Sequence, residues 1–361
     1  MAADPCRERR AAVAADLAER GLDGLLLATG ANLRYLSGFT GSNAMLLVAA
    51  GGEAILFTDP RYRIQAHAEV SCRTRVASGP LTPEVVKAVA KLRIRKLGFE
   101  RARFSYDGYD QLRSRLPLKT ALEPVAGVVE ARRMVKSAAE IALIRQSMEI
   151  AVKAFEQSIR HARAGMREFD LAAEIDHHMR RLGAEKPSFE TIVAAGARSA
   201  LPHASPTAAR LEPGALVLID MGAQLEGYAS DMTRMLSCGP PPAKARKLYR
   251  AVIEAQQAAL AAVRAGVSSA HPDRAARRVL RAHGLERAFV HSTGHGLGLE
   301  IHEAPRLGRR EKIRLQAGMT VTVEPGAYLE GYGGVRIEDT VVVTQTGCEI
   351  LTRSSKELRV V

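Results

Sequence analysis

The sequence predicts an α/β protein of two domains, the first an alternating strand–helix layer and the second a duplicated helix–helix–hairpin unit. Three observations lead there. At 361 residues the chain exceeds one ordinary hydrophobic core. Its first third alternates short apolar runs with helical periodicity. Its remainder contains an internal repeat. The change of pattern near Val125-Ala126-Gly127 sets the expected domains at 1–127 and 128–361.

In the first domain Leu25–Leu27, Met45–Val48 and Ala54–Phe57 read as buried strands, with helices over Thr82–Leu92 and Tyr109–Leu116. In the second, Ile141, Ile144, Met148, Ala151, Phe155 and Ile159 recur at three and four residues, the stripe of a long helix expected to run to Gly165. Phe169 to Leu182 forms another, stopped by Gly183. Lys244–Arg264 and Asp273–His283 form a second pair, the latter stopped by Gly284.

A hairpin pattern follows each helix pair. Residues 211–228 align without gaps on 315–332, sharing Leu, Gly, Val, Gly-Ala and Leu-Glu-Gly-Tyr in register, so that Asp220 falls on Glu324. Beyond the turns, Asp231 and Thr233 fall on Glu338 and Thr340. A repeat can serve stability alone, but packing does not require a carboxylate inside each apolar strand. With turns near 225–227 and near Gly331, Asp220 opposes Asp231 and Glu324 opposes Glu338, each pair on one face. Four converging acids repel and lose hydration, so cations are needed to resolve them. His291, His295 and His302 lie between the acid pairs at spacings of four and seven, among glycines that permit close backbone approach.

Composition limits the alternatives. Hydrophobic residues make 47% and charged residues 25% of the chain, as in soluble globular proteins. No apolar run reaches a membrane span, the first residues lack an apolar signal core, and Cys6, Cys72, Cys238 and Cys348 form no CxxC pair. A cytoplasmic protein without membrane association is expected. The net charge of +13 is spread over short groups such as Arg306–Arg314, with no aromatic platform or recognition helix, so no nucleic-acid partner is expected.

The motifs around these residues resemble those of the pita-bread metallopeptidases, in the branch of aminopeptidase P and prolidase. They are Ile219-Asp220-Met-Gly-Ala, Ser230-Asp231-Met-Thr-Arg, Gly294-His295 through His302-Glu303, Val323-Glu324-Pro-Gly and Val335-Arg336-Ile-Glu338-Asp. Asn32–Asn43 and Phe57-Thr-Asp-Pro-Arg61-Tyr62 are similar to a creatinase-type N-terminal domain. The resemblance implies a creatinase-type α/β domain followed by a pita-bread catalytic domain.

It implies Asp220, Asp231, His295, Glu324 and Glu338 as ligands of two divalent ions, with Asp231 and Glu338 shared and a hydroxide between the ions. This oxygen-rich set suits Mn²⁺ or Co²⁺, with Zn²⁺ also open. It further implies Glu324 as proton shuttle, His203 and His302 on the scissile carbonyl, and His291 and Arg336 on the prolyl side. Arg336 has a second reading, as counter-ion of Glu338 or Asp339. Ala204 replaces the glycine usual after the Pro202-His203 pair, which bears on His203 and leaves the metal ligands untouched.

The expected activity is an Xaa-Pro aminopeptidase acting on peptides with proline second. The Phe57–Tyr62 motif favours it over the alternative, an Xaa-Pro dipeptidase of the same chemistry. The intact ligand set argues against a creatinase-like enzyme or a non-catalytic binding module. A homodimer is expected from the resemblance alone.

Overall fold

The computed structural model describes residues 4–361 and divides into two compact units between Arg133 and Met134. The first contains α1 (Pro5–Glu19), β1 (Gly24–Leu27), α2 (Gly30–Ser37), β2 (Ala44–Ala49), β3 (Ala54–Thr58), α3 (Arg63–Glu69), β4 (Arg73–Val76), α4 (Leu81–Lys91), β5 (Lys96–Glu100), α5 (Tyr106–Arg115), β6 (Ala121–Val125) and α6 (Val128–Arg133). Its sheet runs β4-β3-β2-β1-β5-β6, antiparallel from β1 through β3 and parallel from β1 through β6. Leu26, Leu47, Ile55, Phe57 and Leu97 pack with Val85, Val89 and Leu112. Helix α5 starts ahead of Tyr109 because the Ser105 hydroxyl accepts from the Gly108 amide and caps it.

The resemblance motifs of this unit build its own framework. The Glu100 carboxylate accepts from the Ala28 and Thr29 amides, and the buried Asn32 amide donates to Glu100 and Glu130. Arg133 donates to the Asn32 side-chain oxygen Oδ1 and Arg132 pairs with Asp16. These bonds, with the packing of α6 on α1 and α2, carry the unit beyond Gly127 to Arg133.

The second unit opens with α7 (Ala138–Ser158), entered through a capping box of Ser137 and Glu140, and α8 (Glu168–Arg181). Helix α7 stops at Ser158, before Gly165, whose amide donates instead to the Leu211 carbonyl and closes a loop. Next come β7 (Lys186–Pro187), β8 (Ile192–Ala195), β9 (Leu216–Met221), β10 (Ala223–Leu225), β11 (Tyr228–Ala229) and β12 (Met232–Ser237). The second half repeats the order: α9 (Ala243–Ala262), α10 (Ala270–Ala282), β13 (Gly294–Gly296), β14 (Glu303–Leu307), β15 (Thr320–Val323), β16 (Gly326–Leu329), β17 (Gly333–Arg336) and β18 (Asp339–Val343), then β19 (Cys348–Ile350) and β20 (Arg359–Val360).

The duplication is visible in the pairing. β9 pairs with β12 as β15 pairs with β18, and the tips β10–β11 match β16–β17. The sheets run β20-β12-β9-β8 and β14-β13-β15-β18-β19. β9 is buried on both faces, with Val217, Ile219 and Met221 in the core beneath α7 and α8, and Leu216 and Leu218 in the core beneath α9. Asp220 continues the Leu216/Leu218 face, by the two-residue period of a strand. No helix among the described residues is long and apolar enough to cross a membrane.

The two hairpins differ in register. In the second, Gly326 opposes Arg336 and Val323 opposes Asp339, which sets Glu324 against Glu338 as the repeat predicts. In the first, Asp220 opposes Thr233 rather than Asp231. Glu226 and Gly227 both have positive φ, 45° and 77°, and make a two-residue turn that pairs Leu225 with Tyr228. Asp231 is then a diagonal neighbour of Asp220, still on its face.

Candidate metal centre

The acids and histidines meet in a cleft of about 580 Å³ lined by residues of both hairpins and the histidine segment. That volume is in the range of a small-molecule site. Asp220, Asp231, His295, Glu324 and Glu338 all line it. One ligand-capable atom each of Asp231, His295 and Glu338 lie within 4.8 Å of one another. His295 Nε2 is 3.4 Å from Glu324 Oε1 and 3.6 Å from Asp231 Oδ2.

Neighbouring groups fix these side chains. The His295 ring contacts the Gly296 carbonyl through Nδ1 at 3.0 Å. Only a proton on Nδ1 makes this a hydrogen bond, which leaves the Nε2 lone pair facing the carboxylates. The Thr322 hydroxyl accepts from the His295 amide and donates to Glu324 Oε1 at 3.2 Å. From the other half, the Thr233 hydroxyl donates to Glu338 Oε2 at 2.7 Å. Thr340 returns the contact by donating to the Asp231 carbonyl at 2.8 Å.

Electrostatics mark the site as unfinished without a cation. Burial, and then Glu338, Asp220 and Glu324, push the Asp231 carboxyl well above the usual carboxylate range. Burial with Glu324 and Asp220 does the same to Glu338. Burial lifts Glu324 to about 7, against the opposing pull of Arg336. Asp220 Oδ1 and Glu338 Oε1 are buried without a hydrogen-bond partner. Carboxylate oxygens beside one imidazole nitrogen are donors for a divalent cation, which would favour their ionised forms and occupy those orphaned oxygens. The residues present therefore fit such an ion.

The remaining histidines line the same cleft. The His302 ring lies edge-on to His295, with centroids 4.4 Å apart, and burial followed by His295 lowers its pKa. His203 also lines the cleft, with Ala204 behind it in the core. The loop is held by the Pro202 carbonyl, which accepts from Arg336 Nη1 at 3.1 Å.

Arg336 lines the cleft as well, and its guanidinium is held by protein groups. Its Nη2 pairs with Asp220 Oδ2 at 2.5 Å, Nη1 donates to the Tyr328 hydroxyl at 2.8 Å, and Nε donates to Thr233 Oγ1 at 3.1 Å. It is thus a buried counter-ion of Asp220, not of Glu338 or Asp339. Sequence reasoning missed Tyr328, which joins Arg336 to His291 Nε2 at 2.8 Å. The repeat offered a faint signal, since Tyr328 aligns with Gln224, where the copies diverge. It also missed Arg306, the exposed guanidinium in the cleft wall, whose Nε donates to Ser292 Oγ at 3.1 Å. The available signal was its place four residues after His302.

Burial, and then Arg336, lower His291 to a pKa of about 3. Between pH 6.5 and about 3 the unfolded chain takes up a proton at this residue that the folded chain refuses, so His291 draws down stability as pH falls. The urea midpoint of His291→Gln is expected to fall less steeply over that window than the parent's. Equal slopes would contradict a neutral buried His291.

Residues 142–345 match metallopeptidase family M24, and residues 9–135 match the creatinase/prolidase N-terminal domain. The chain is 36% identical over 340 residues to the Xaa-Pro dipeptidase of Pyrococcus furiosus, covering 94% of this chain and 96% of that protein. Among solved structures it resembles the Xaa-Pro dipeptidase from Bacillus anthracis, with a TM-score of 0.95, 38% identity and coverage of 99% and 100% of the two chains. The X-Pro aminopeptidase from Thermotoga maritima gives a TM-score of 0.89 at 38% identity, covering 95% of this chain and 99% of that one. With its acid pairs and histidine in one cleft and both families matched in order along the sequence, the chain belongs to metallopeptidase family M24, metal-dependent peptidases, and carries a creatinase/prolidase-type N-terminal domain.

Proposed function

We propose that this protein is an Xaa-Pro dipeptidase that holds two divalent ions, Mn²⁺ or Co²⁺, with Asp220, Asp231, His295, Glu324 and Glu338. Asp231 and Glu338 would be the ligands common to both ions. This reverses the order expected from sequence, where the aminopeptidase came first. Relatives named Xaa-Pro dipeptidase support it, including those of Pyrococcus furiosus and Pyrococcus horikoshii, each 36% identical. The observation that carries it is Arg306, an exposed cation in the cleft wall, where a free substrate carboxylate gains a charge-assisted hydrogen bond.

When bound, the ions supply Lewis-acid activation and offset the negative charge of the acid cluster. The residues of the chain do the rest. His302 and His203 orient the scissile carbonyl and donate to its oxygen as charge develops there. Glu324 would take a proton from the attacking water as its oxygen bonds to the scissile carbon, and pass it to the prolyl nitrogen as the C–N bond breaks, since a tertiary amide nitrogen carries no proton of its own. His291, fixed by Tyr328 and the Ser292 carbonyl, walls the proline ring. Phe189, Ile192 and Ile301 supply the apolar lining that limits water.

The test compares an Xaa-Pro dipeptide with the matching Xaa-Pro-Xaa tripeptide on the metal-loaded protein. The dipeptide is expected to be the better substrate. Arg306→Met is expected to lower its kcat/KM about 10–100-fold, the worth of one charge-assisted contact, with little effect on the tripeptide. Faster cleavage of the tripeptide, unaffected by Arg306→Met, would return the protein to the aminopeptidase reading.

A further inference from the structure

Behind Glu338, on the side away from the cleft, lies a buried polar cluster that the chemistry above does not use. Its hub is Arg234 on β12, whose side chain is 3% exposed. A guanidinium has five N–H donors, and five hydrogen bonds are made. Nη1 donates to the Thr233 and Glu338 carbonyls, at 3.0 and 2.5 Å. Nη2 donates to Asp339 Oδ1 at 2.9 Å and to the Ser354 carbonyl at 3.1 Å. Nε donates to the Ser355 carbonyl at 3.1 Å.

Asp339, 1% exposed, completes the cluster. Its second oxygen accepts from Lys356 Nζ at 2.7 Å and from Gln256 Nε2 at 2.8 Å. Lys356 also donates to Gln256 Oε1 at 3.2 Å, and its carbonyl accepts from the Tyr249 hydroxyl. Three Arg234 bonds therefore reach the strands that carry the acid cluster, and two reach the segment 354–356. That segment continues into β20, which pairs with β12 at Leu236 and Ser237.

Packing alone does not call for such an arrangement. A buried Arg–Asp pair costs desolvation on both partners and is retained at a gain only when its remaining donors and acceptors are also satisfied. Here they are: the Thr233, Glu338, Ser354 and Ser355 carbonyls take the other Arg234 donors, and Lys356 and Gln256 donate to Asp339. Groups one layer behind metal ligands set ligand orientation, and their loss typically costs about 10–100-fold in metal affinity.

We infer that Arg234, Asp339 and Lys356 form a latch through which the segment 354–356 positions the Glu338 carboxylate for the ion. The inference rests on the proposed ligand set. Arg234 and Lys356 are positioning residues, acting on the metal through Glu338. Coupling between two sites is reciprocal, so ion binding must tighten the segment as the segment tightens the ion.

The experiment titrates the metal-free full chain with Mn²⁺ alone and follows hydrogen exchange of peptides covering 354–358. Lys356→Met and Arg234→Lys are each expected to weaken Mn²⁺ binding about tenfold or more. Arg359→Ala, which removes the neighbouring ion pair with Glu156 and leaves Asp339 untouched, should stay within about twofold of the parent. Exchange over 354–358 should slow when Mn²⁺ binds. Parental Mn²⁺ affinity in both latch variants, or identical exchange with and without Mn²⁺, overturns the latch even if the variants unfold at lower temperature. Glu338→Gln separates the two readings. If it loses Mn²⁺ affinity while the latch variants do not, only the latch fails; if it binds Mn²⁺ like the parent, the ligand set fails and the latch with it.

Discussion

Asp231→Asn is expected to lower kcat/KM by more than about 10³-fold, beyond the 10–100-fold typical of groups one layer out. An amide oxygen is a weak ligand, and Asp231 is one of three residues whose ligand atoms gather within 4.8 Å. The same substitution should stabilise the metal-free protein at neutral pH. Burial and three neighbouring acids hold the Asp231 carboxyl above its ordinary 3.8 in the fold, so the folded state keeps a proton that the unfolded chain releases. Stability is lost as pH rises past that ordinary value, and an uncharged Asn escapes the loss. The gain should shrink by pH 4, close to that ordinary value, where much of the unfolded parent is protonated as well. Melting curves of both metal-free proteins at pH 4 and pH 7, beside kcat/KM of the loaded ones, check both halves. A variant keeping a tenth of parental kcat/KM would remove Asp231 from the ligand set.

Gly294→Ala should be nearly as damaging without touching a ligand. A Cβ there would stand 2.0 Å from the Thr322 carbonyl oxygen and 2.9 Å from the Thr322 hydroxyl. The hydroxyl holds both the His295 amide and Glu324, so relieving the clash moves His295 off its neighbours. Misplacement by about 1 Å costs on the order of 10²-fold in rate, and overpacking about 1–3 kcal/mol in stability. Gly308, where the nearest atom to a Cβ is 3.5 Å away, supplies the control. Gly308→Ala should keep kcat/KM within about twofold and the parental denaturation midpoint. Comparable losses in the two variants would mean that the glycines around His295 are not there for close approach.

Much of this site was legible in the sequence because duplication printed it twice. One Asp on an apolar strand carries little information. Asp220 aligned with Glu324, and Asp231 with Glu338, identify a face and a convergence. The glycines around His295 could also be read, since close approach explains them: Gly294 and Gly296 meet backbone carbonyls and Gly298 meets the Glu303 carboxylate. The first hairpin's register was missed by two residues. Its outcome depends on φ at Glu226 and Gly227, and a non-glycine at positive φ is not announced by residue type.

The roles of Arg336 and Arg306 were illegible for a different reason. Whether a guanidinium meets a substrate or a protein carboxylate depends on what remote strands bring beside it. Arg336 is met by Asp220, more than a hundred residues earlier in the chain, at 2.5 Å. The short stretch around Arg306 looked like solvated surface until β14 set it beside Ser292 in the cleft wall. The first unit offered clearer signals, because Leu25–Leu27 and Ala54–Phe57 are continuous buried runs that leave few alternatives to a central strand.

The exchanged threonines, Thr233 on Glu338 and Thr340 on Asp231, mean that neither half of the second unit owns a finished site. With the ligand set proposed above, a bound ion is a removable crosslink between two stretches of chain, tying 220–231 to 295–338. Mass action then enters the folding equilibrium. At free ion a hundredfold above Kd, the native state gains about 2.7 kcal/mol that chelation withdraws. The scarcity of the ion would be felt first as a loosening between the halves, and only then as lost turnover.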